Sequence, residues 1–443
     1  MPDRLSPRPL SSWVSPERLF PALSQQHADV FWLDAGPDAT EGWSFLGIGV
    51  PEVLPEAVRL DVGPVDEGLP PFRGGWVGWR DYESGAALAG APVATEPEPD
   101  ARTWLRVTTA LAFDHDARRL WLLAPEEEAT EEEVTEDGER WLEKLLTAEV
   151  PARRAAGEKH IAAARHTPAA YEELIDRCRG LIRAGIAYQL CLTTRFTVPG
   201  AHDAVAVYRR LRAATPAHHG GFLRIGGRAL LSASPEQFLH ARGGVIRTRP
   251  IKGTRPRGAD TVTDAALAAE LAADPKERAE NVMIVDLMRN DLSRVCVPGS
   301  IRVEGLWVVE SYPAVHQLVS TVSGVAAEGT TVGALLAAAF PAGSMTGAPK
   351  LSAMTQLQEL EGGPRDLYAG CFGYIGVDGT LDLAMVIRSI VMDEGAAFVG
   401  AGGGITWGSV PAAEVREVGT KARAPLAALG AEMPATWRSD ILN

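Results

Sequence analysis

Residues 247–258 read RTRPIKGTRPRG: four arginines and a single lysine, Lys252, in a stretch broken by Pro250, Gly253, Pro256 and Gly258. Arginine keeps its charge at any workable pH. A lysine amine loses its proton when burial or neighbouring cations depress its pKa, and it is then a nucleophile. The segment therefore offers an anion site and a nucleophile together, with the arginines helping to keep the amine neutral. Its plainer reading is a solvated basic turn.

The rest of the chain makes local cations matter. Its 443 residues carry 57 Asp+Glu against 43 Lys+Arg, a formal net charge of −14. Such a chain has no general attraction for nucleic acid or an anionic membrane, so an anionic ligand must be captured by local cations, a metal or helix ends. A composition 46% hydrophobic and 23% charged is that of an ordinary globular protein, long enough for two or three domains or one large one. Cys178, Cys191, Cys296 and Cys371 make no CxxC pair, which fits reduced thiols and a cytoplasmic location. No run approaches the roughly 18–20 apolar residues of a membrane span, and the N-terminus lacks a signal-peptide core, so neither export nor membrane insertion is expected.

Outward from the basic stretch, the pattern alternates strands and capped helices. Towards the N-terminus, 104–113 and 119–123 form a hairpin by pattern, the acidic run 126–139 leads into a surface helix with one apolar stripe, and 151–166 reads as a linker. Thr167-Pro168 starts a helix with apolar residues at i, i+3, i+4 and i+7 from Tyr171, ended by Gly185. Residues 187–196 then read as a strand. On the other side, Asp274-Pro275 opens a helix running to about Arg294. SMTGAPK (344–350) reads as a Gly loop feeding a helix that begins at Pro349, with Lys350 and free N–H groups as an anion site. Residues 372–377 and 381–392 form a hairpin over Asp378-Gly379. Residues 400–404 are nearly bare backbone, read either as a close approach to a ligand or as a strand bulge.

Some side chains suggest chemistry. Glu277 and Glu280, and Glu414 and Glu417, are each three apart, so each pair shares a helix face. Two readings are open: four hard oxygens suited to Mg²⁺, or a helix cap and an exposed ExxE. Glu236, in a Ser-Pro-Glu turn among apolar residues, is either a partly buried general acid or base or a surface glutamate. His316, in an apolar segment, is either a satisfied core residue or a functional one. Tyr368 and Arg388 are donors suited to a carboxylate.

Taken jointly and in order, SPEQFL (234–239), PIKGTRPRG (250–258), KERAENVMIVDLMRNDL (276–292), HQLVSTVSG (316–324), GSMTGAPK (343–350), YAGCFGYIG (368–376), IRS (387–389) and EVREVGTKA (414–422) resemble the chorismate-utilising enzymes. That family includes anthranilate synthase component I, aminodeoxychorismate synthase component I, isochorismate synthase and salicylate synthase. The resemblance implies an α+β fold with two mostly antiparallel β-sheets packed together and flanking helices. It divides the chain into an N-terminal region, 1–150, and a chorismate-binding catalytic domain, 165–430, interlocked rather than strung as beads.

The resemblance also implies roles. Glu280 and Glu417 would hold Mg²⁺, with Glu277 and Glu414 beside them partly through water, and the ion would bind the ring carboxylate of chorismate. Tyr368, Arg388 and the backbone of Gly402, Gly403 and Gly404 would hold the enolpyruvyl carboxylate, with Lys421 near the metal-bound carboxylate. Thr254, His316 and Gly347 join the substrate-binding set. Glu236 would be the acid that helps the C4 hydroxyl leave. Family members that add water carry a lysine at the place of Gln189, so glutamine argues against isochorismate and salicylate synthesis. Anthranilate synthases usually read PIAGT; PIKGT resembles the aminodeoxychorismate synthases, with Lys252 as covalent nucleophile at C2 so that ammonia enters at C4. The implied product is 4-amino-4-deoxychorismate, for 4-aminobenzoate in folate or secondary metabolism. The alternatives are anthranilate or 2-amino-2-deoxyisochorismate synthesis, and a non-catalytic sensor. With no GxCxGxQ-type motif present, the resemblance implies a separate glutamine amidotransferase subunit as ammonia source. The sequence departs from the family at Ile186, usually acidic, at Ser409-Val410-Pro411 in place of SDP, and at Ala35 of LDAG, so tryptophan binding does not carry over.

Overall fold

A computed structural model describes residues 4–60, 63, 66–98, 100–125, 131–149, 160–313 and 315–439. The linker assigned to 151–166 lies outside these as far as 159, as does the start of the acidic run. Beyond the gap, His160–Ile161 and Ala163–Ala164 are short strands, and Glu131–Thr147 is the expected helix.

The large network of 20 strands is antiparallel throughout, and a separate parallel pair joins His160–Ile161 to Ala431–Glu432. The α+β class is as expected. The ladder runs without a break from Gln189–Pro199 through Ala396–Ile405, Ser389–Met392, Arg228–Ser234 and His219–Ile225. It crosses into N-terminal strands Val30–Asp34, Trp43–Glu52, Trp104–Asp114 and Gly75–Arg80. It returns through Cys371–Gly376, Leu381–Met385 and Gln237–Arg242 to the strands around Val315–Val325. The network folds over on itself: the rings of Phe45 and Tyr374, from strands that do not pair, lie 5.9 Å apart. Phe31, Phe72, Trp79, Leu223 and Phe372 fill the same interlayer core. The packed layers are therefore one hydrogen-bonded sheet, because N-terminal strands bridge catalytic ones.

Local chemistry sets the helix ends. Thr167 accepts from Ala170 N and Pro168 opens Pro168–Arg183, whose Tyr171, Leu174, Ile175 and Cys178 are buried. Asp274 caps Pro275–Ser293 by accepting from Lys276 and Glu277 N–H groups, which a side-chain oxygen at N-cap does for orphan donors. Pro349 is the N-cap rather than the first residue of Lys350–Glu361, and Gly362 ends that helix at φ 65°. Among the described residues no helix is long and apolar enough to cross a membrane.

Three expectations change. The stretch 381–392 is two strands, Leu381–Met385 and Ser389–Met392, which pair with different neighbours. Arg388, at φ 51°, sits in the break. Residues 400–404 form no bulge: they pair in continuous register with 191–195. Lys350 is no anion site, since its Nζ donates to Asp291 Oδ2 at 2.7 Å and to the Ala339 carbonyl at 3.0 Å.

One buried ion pair ties these elements together. Arg365 donates to both oxygens of Glu361, at 2.8 and 2.7 Å, and to the carbonyls of Met345 and Cys191 at 2.6 and 2.8 Å. Glu361 Oε1 also accepts from Thr193 N at 2.9 Å. From the N-terminal region, Glu83 accepts the backbone N–H groups of Arg365 and Asp366, each at 2.8 Å. Both partners of the pair are almost fully buried. Removing one partner from such a pair strands the other charge at a cost of about 3–5 kcal/mol. Glu361→Ala should lower stability by about that much, read as a fall in the urea unfolding midpoint; an unchanged midpoint would show that the pair carries no such load.

Candidate active site

The basic stretch lies across the two strands Val245–Thr248 and Ile251–Pro256, and its arginines are spent on the outside. Arg247 pairs with Glu304 at 3.2 Å, Arg249 with Glu310, Arg255 with Asp274 and Glu270 at 2.8 and 2.9 Å, and Arg257 with Asp264 at 2.7 Å. They therefore do not serve to keep Lys252 neutral. Lys252 is nearly buried, with Nζ 3.9 Å from Glu280 Oε2. Burial alone would lower its pKa, but Glu280 first, and then Cys191, Glu236 and Glu417, outweigh burial and raise it. The resting amine is held protonated by acids.

Glu236 follows the strand Arg228–Ser234 and is 8% exposed. Burial pushes its pKa up to about 7, against a hydrogen bond from Ser344 and the charges of Lys252 and Lys421. Ser344 Oγ donates to Glu236 Oε1 at 3.0 Å. A carboxyl poised near neutrality can give and take a proton at physiological pH.

Gln189 begins the strand Gln189–Pro199 fully buried, and neither its amide nitrogen nor its amide oxygen meets a described hydrogen-bond partner. It lies against Gly404 of the paired strand. A Cβ on Gly404 would stand 2.3 Å from Gln189 Nε2 and 3.2 Å from Lys252 Nζ. One on Gly400 would stand 2.1 Å from the Tyr368 ring. Bare backbone here admits the side chains of the site to the sheet face, a close approach only glycine permits. The Gly402 carbonyl accepts from Lys421 Nζ at 2.8 Å, and Lys421 also pairs with Glu417 at 2.7 Å.

Arg388 completes the polar wall. Burial lowers its pKa, while Tyr368 and then Glu417 oppose that, and it makes no ion pair with any described carboxylate. An unpaired guanidinium beside a buried tyrosine is a ready anion anchor. Gly347, at φ 147°, packs so closely on the strand opposite that a Cβ would meet the Gln189 carbonyl at 2.2 Å. Thr254 is exposed on the strand Ile251–Pro256. His316 is not brought to this group through a free ring nitrogen: Nε2 bonds Asp264 at 2.9 Å and Nδ1 bonds Ser311 at 2.8 Å. Of the two readings, the satisfied core histidine is the one its bonds match.

The glutamates gather at the ends of Pro275–Ser293 and Pro411–Ala428. Lys276 Nζ lies 3.7 Å from both Glu280 Oε1 and Glu414 Oε1. Glu280 Oε1 is buried and accepts no hydrogen bond from a described residue. Burial, opposed by Lys252 and Lys276, raises the Glu280 pKa; Lys421, the dominant influence, lowers that of Glu417. A Cβ on Gly403 would face Glu414 Oε2 at 3.3 Å and Glu417 Oε1 at 3.8 Å. Glu277 stands further out, 3.8 Å from Arg255. Among the described residues no three acidic, imidazole or thiol groups close into a ready cage. Mg²⁺ asks for less: it keeps several waters and binds through one or two carboxylates with oxygens of an anionic substrate. An orphaned buried carboxylate oxygen beside hard-oxygen donors on two helices fits that ion.

Sequence reasoning missed Ser344, Arg365 and Lys276. Ser344 was hidden in a motif read for its glycine and lysine. Arg365 stands i+4 to Glu361, but beyond a Gly-Gly-Pro stop that masks the spacing. Pro235, Gln237 and Ile251 line a separate cavity of about 650 Å³ that also reaches Ala35, and Glu236 and Lys252 are not among its walls. Alternation along a strand sends sequence neighbours to opposite faces.

Residues 50–427 match the family described as chorismate binding enzyme. The chain is 44% identical over 374 residues to an aminodeoxychorismate synthase of Streptomyces pristinaespiralis, a match covering 82% of this chain and 52% of that protein. It is 41% identical over 385 residues to anthranilate synthase component 1 of Streptomyces coelicolor, covering 83% and 75%. It thus spans about half the length of the first relative. The crystal structure of anthranilate synthase component I from Streptococcus pneumoniae superposes with a TM-score of 0.72 at 27% identity, covering 96% of this chain and 92% of that one.

Gly404→Ala should keep the fold, since its strand backbone is ordinary, yet lower kcat/KM for the substrate by about tenfold or more through displacement of Gln189 and Lys252. Wild-type kinetics in a variant with an unchanged circular dichroism spectrum would remove Gln189 and Lys252 from the site.

Proposed function

The chain belongs to the chorismate-binding enzymes, and on that premise we propose that it aminates chorismate at C4 to give 4-amino-4-deoxychorismate, the precursor of 4-aminobenzoate. The observation that carries the reading is Lys252: a nearly buried amine, inside the site, 3.9 Å from Glu280 and under the charge of Glu236, a carboxyl poised near pH 7.

Chorismate brings two carboxylates. Arg388 and Tyr368 hold the enolpyruvyl carboxylate. Glu280 and Glu417, with Glu277 and Glu414 beside them, would hold Mg²⁺, which when bound supplies positive charge for the ring carboxylate. Lys252 starts protonated, and Glu236 takes that proton as the substrate settles. The neutral amine attacks C2 while the ring double bonds shift and the C4–O bond breaks; Glu236 passes the same proton to the departing hydroxyl, which leaves as water. The adduct nitrogen keeps both its protons as a secondary ammonium, which can later leave as a neutral amine. Ammonia then attacks C4, the double bonds shift back, and the C2–N bond to Lys252 breaks. Lysine leaves as a neutral amine, Glu236, now a carboxylate, accepts a proton from the nitrogen newly bound at C4, and it returns that proton to Lys252 to restore the resting pair. The net change is loss of water and gain of an amino group at C4, with pyruvate still attached. Gln189, neutral where a base would activate water, fits ammonia rather than water as the nucleophile.

The ammonia source in this reading is a separate glutamine amidotransferase subunit; the Streptomyces coelicolor relative is itself called a component 1. Amination at C2, as in anthranilate synthesis, is the second reading, and the same similarity favours it.

Wild-type chain given chorismate, Mg²⁺ and ammonium should form a product with nitrogen at C4 by NMR. Lys252→Ala should lose it by about a hundredfold or more, the range expected when a covalent route is removed. Anthranilate with free pyruvate from the wild type would overturn amination at C4.

A further inference from the structure

The Glu361–Arg365 pair and Glu236 lie on different elements, and the turn Gly343–Met345 joins them. Met345 gives its carbonyl to Arg365 Nη1 at 2.6 Å. Its neighbour Ser344 gives its hydroxyl to Glu236 Oε1 at 3.0 Å. On the far side of the turn, the Thr346 carbonyl accepts from Cys191 N at 2.9 Å, and Arg365 also holds the Cys191 carbonyl at 2.8 Å. The strand carrying Gln189 and the turn carrying Ser344 are thus clamped by the same guanidinium. Ser344 is 7% exposed, so water does not readily replace its bond.

We propose that the buried Glu361–Arg365 pair is a positioning unit for Glu236, acting through the Met345 carbonyl and the Ser344 hydroxyl, and that Ser344 decides which carboxyl oxygen carries the transferable proton. A hydroxyl that donates to Oε1 makes that oxygen the acceptor, so in the neutral acid the proton sits on Oε2. When Glu236 becomes a carboxylate, the same bond stabilises the charge. The planar fork of arginine can hold Glu361 and the Met345 carbonyl at once; the single ammonium of lysine cannot match that geometry. The inference rests on the reading of Glu236 as the proton carrier.

The test measures kcat and KM for chorismate from about pH 5.5 to 9 with ammonium as nitrogen source, in the full chain. In Ser344→Ala, kcat should fall about tenfold or more while KM stays within about twofold. Activity that needs Glu236 as the carboxylate that takes the Lys252 proton is lost as pH falls through the Glu236 pKa. Losing a donor that favours the carboxylate raises that pKa, so the acidic limb should move to higher pH. Ser344→Thr should restore both kcat and limb. Arg365→Lys should move the limb in the same direction; if it does not fold, Glu361→Gln takes its place. An unmoved limb in Ser344→Ala overturns the proposal. So does an Arg365 or Glu361 variant that changes kcat and KM together with the limb in place, which marks a purely structural pair. Full activity in Glu236→Gln is a separate result, overturning the role given to Glu236.

Discussion

The bond between Glu361 and Arg365 is the constraint around which the molecule is arranged. A carboxylate and a guanidinium almost wholly removed from water are costly to desolvate, and that cost is recovered only if the remaining donors and acceptors are satisfied. Here the polar groups of Arg365 find the Met345 and Cys191 carbonyls, and Glu361 takes the Thr193 N–H as well. Each of those groups belongs to an element that carries or holds a side chain of the site. The N-terminal region enters through Glu83 and through Tyr82, whose ring lies 4.3 Å beneath the guanidinium. A polar core of this kind trades stability for one defined geometry, which a proton-transfer site needs.

The second principle is the sorting of charge. A chain with net charge −14 must build any anion site locally. It does so by neutralising its arginines elsewhere and keeping a few cations inward. Arg247, Arg249, Arg255 and Arg257 all end on carboxylates outside the site. Lys252, Lys276 and Lys421 stand among the glutamates, and Arg388 stands without an ionic partner. The lysines hold the acids apart, and the surrounding carboxylates raise the pKa values of Lys252 and Lys276. Charge balance in the site is therefore set to respond to an arriving anion or divalent cation.

Backbone shape does the remaining sorting. The strand Ala396–Ile405 is bare where Tyr368, Gln189 and Lys252 press on it, and the break between Met385 and Ser389 turns Arg388 out of the ladder. By pattern the first read as a close backbone approach or a bulge, and the second as an unbroken strand. Periodicity reads the average run of a strand, and neither a glycine face used for packing nor a single left-handed residue alters it enough to show.

Much was open to reading before any coordinate. Thr167, Pro168, Asp274 and Pro275 mark helix starts through chemistry confined to three or four residues, and the motifs carrying Lys252, Glu236 and the two ExxE pairs point to the family. Local hydrogen bonding and side-chain type determine such things, so they survive in one dimension. What surrounds Lys252 was decided only in three dimensions. Its sequence neighbours are arginines, whereas its spatial neighbours are glutamates, and electrostatic energy depends on distance through space. The same holds for Ser344 and Glu236, which are far apart in the chain and share one hydrogen bond, and for His316, whose ring nitrogens were already taken. Sequence determined which groups were present; tertiary structure decided which charges they feel, because a pKa answers to burial and to the nearest charge rather than to the next residue.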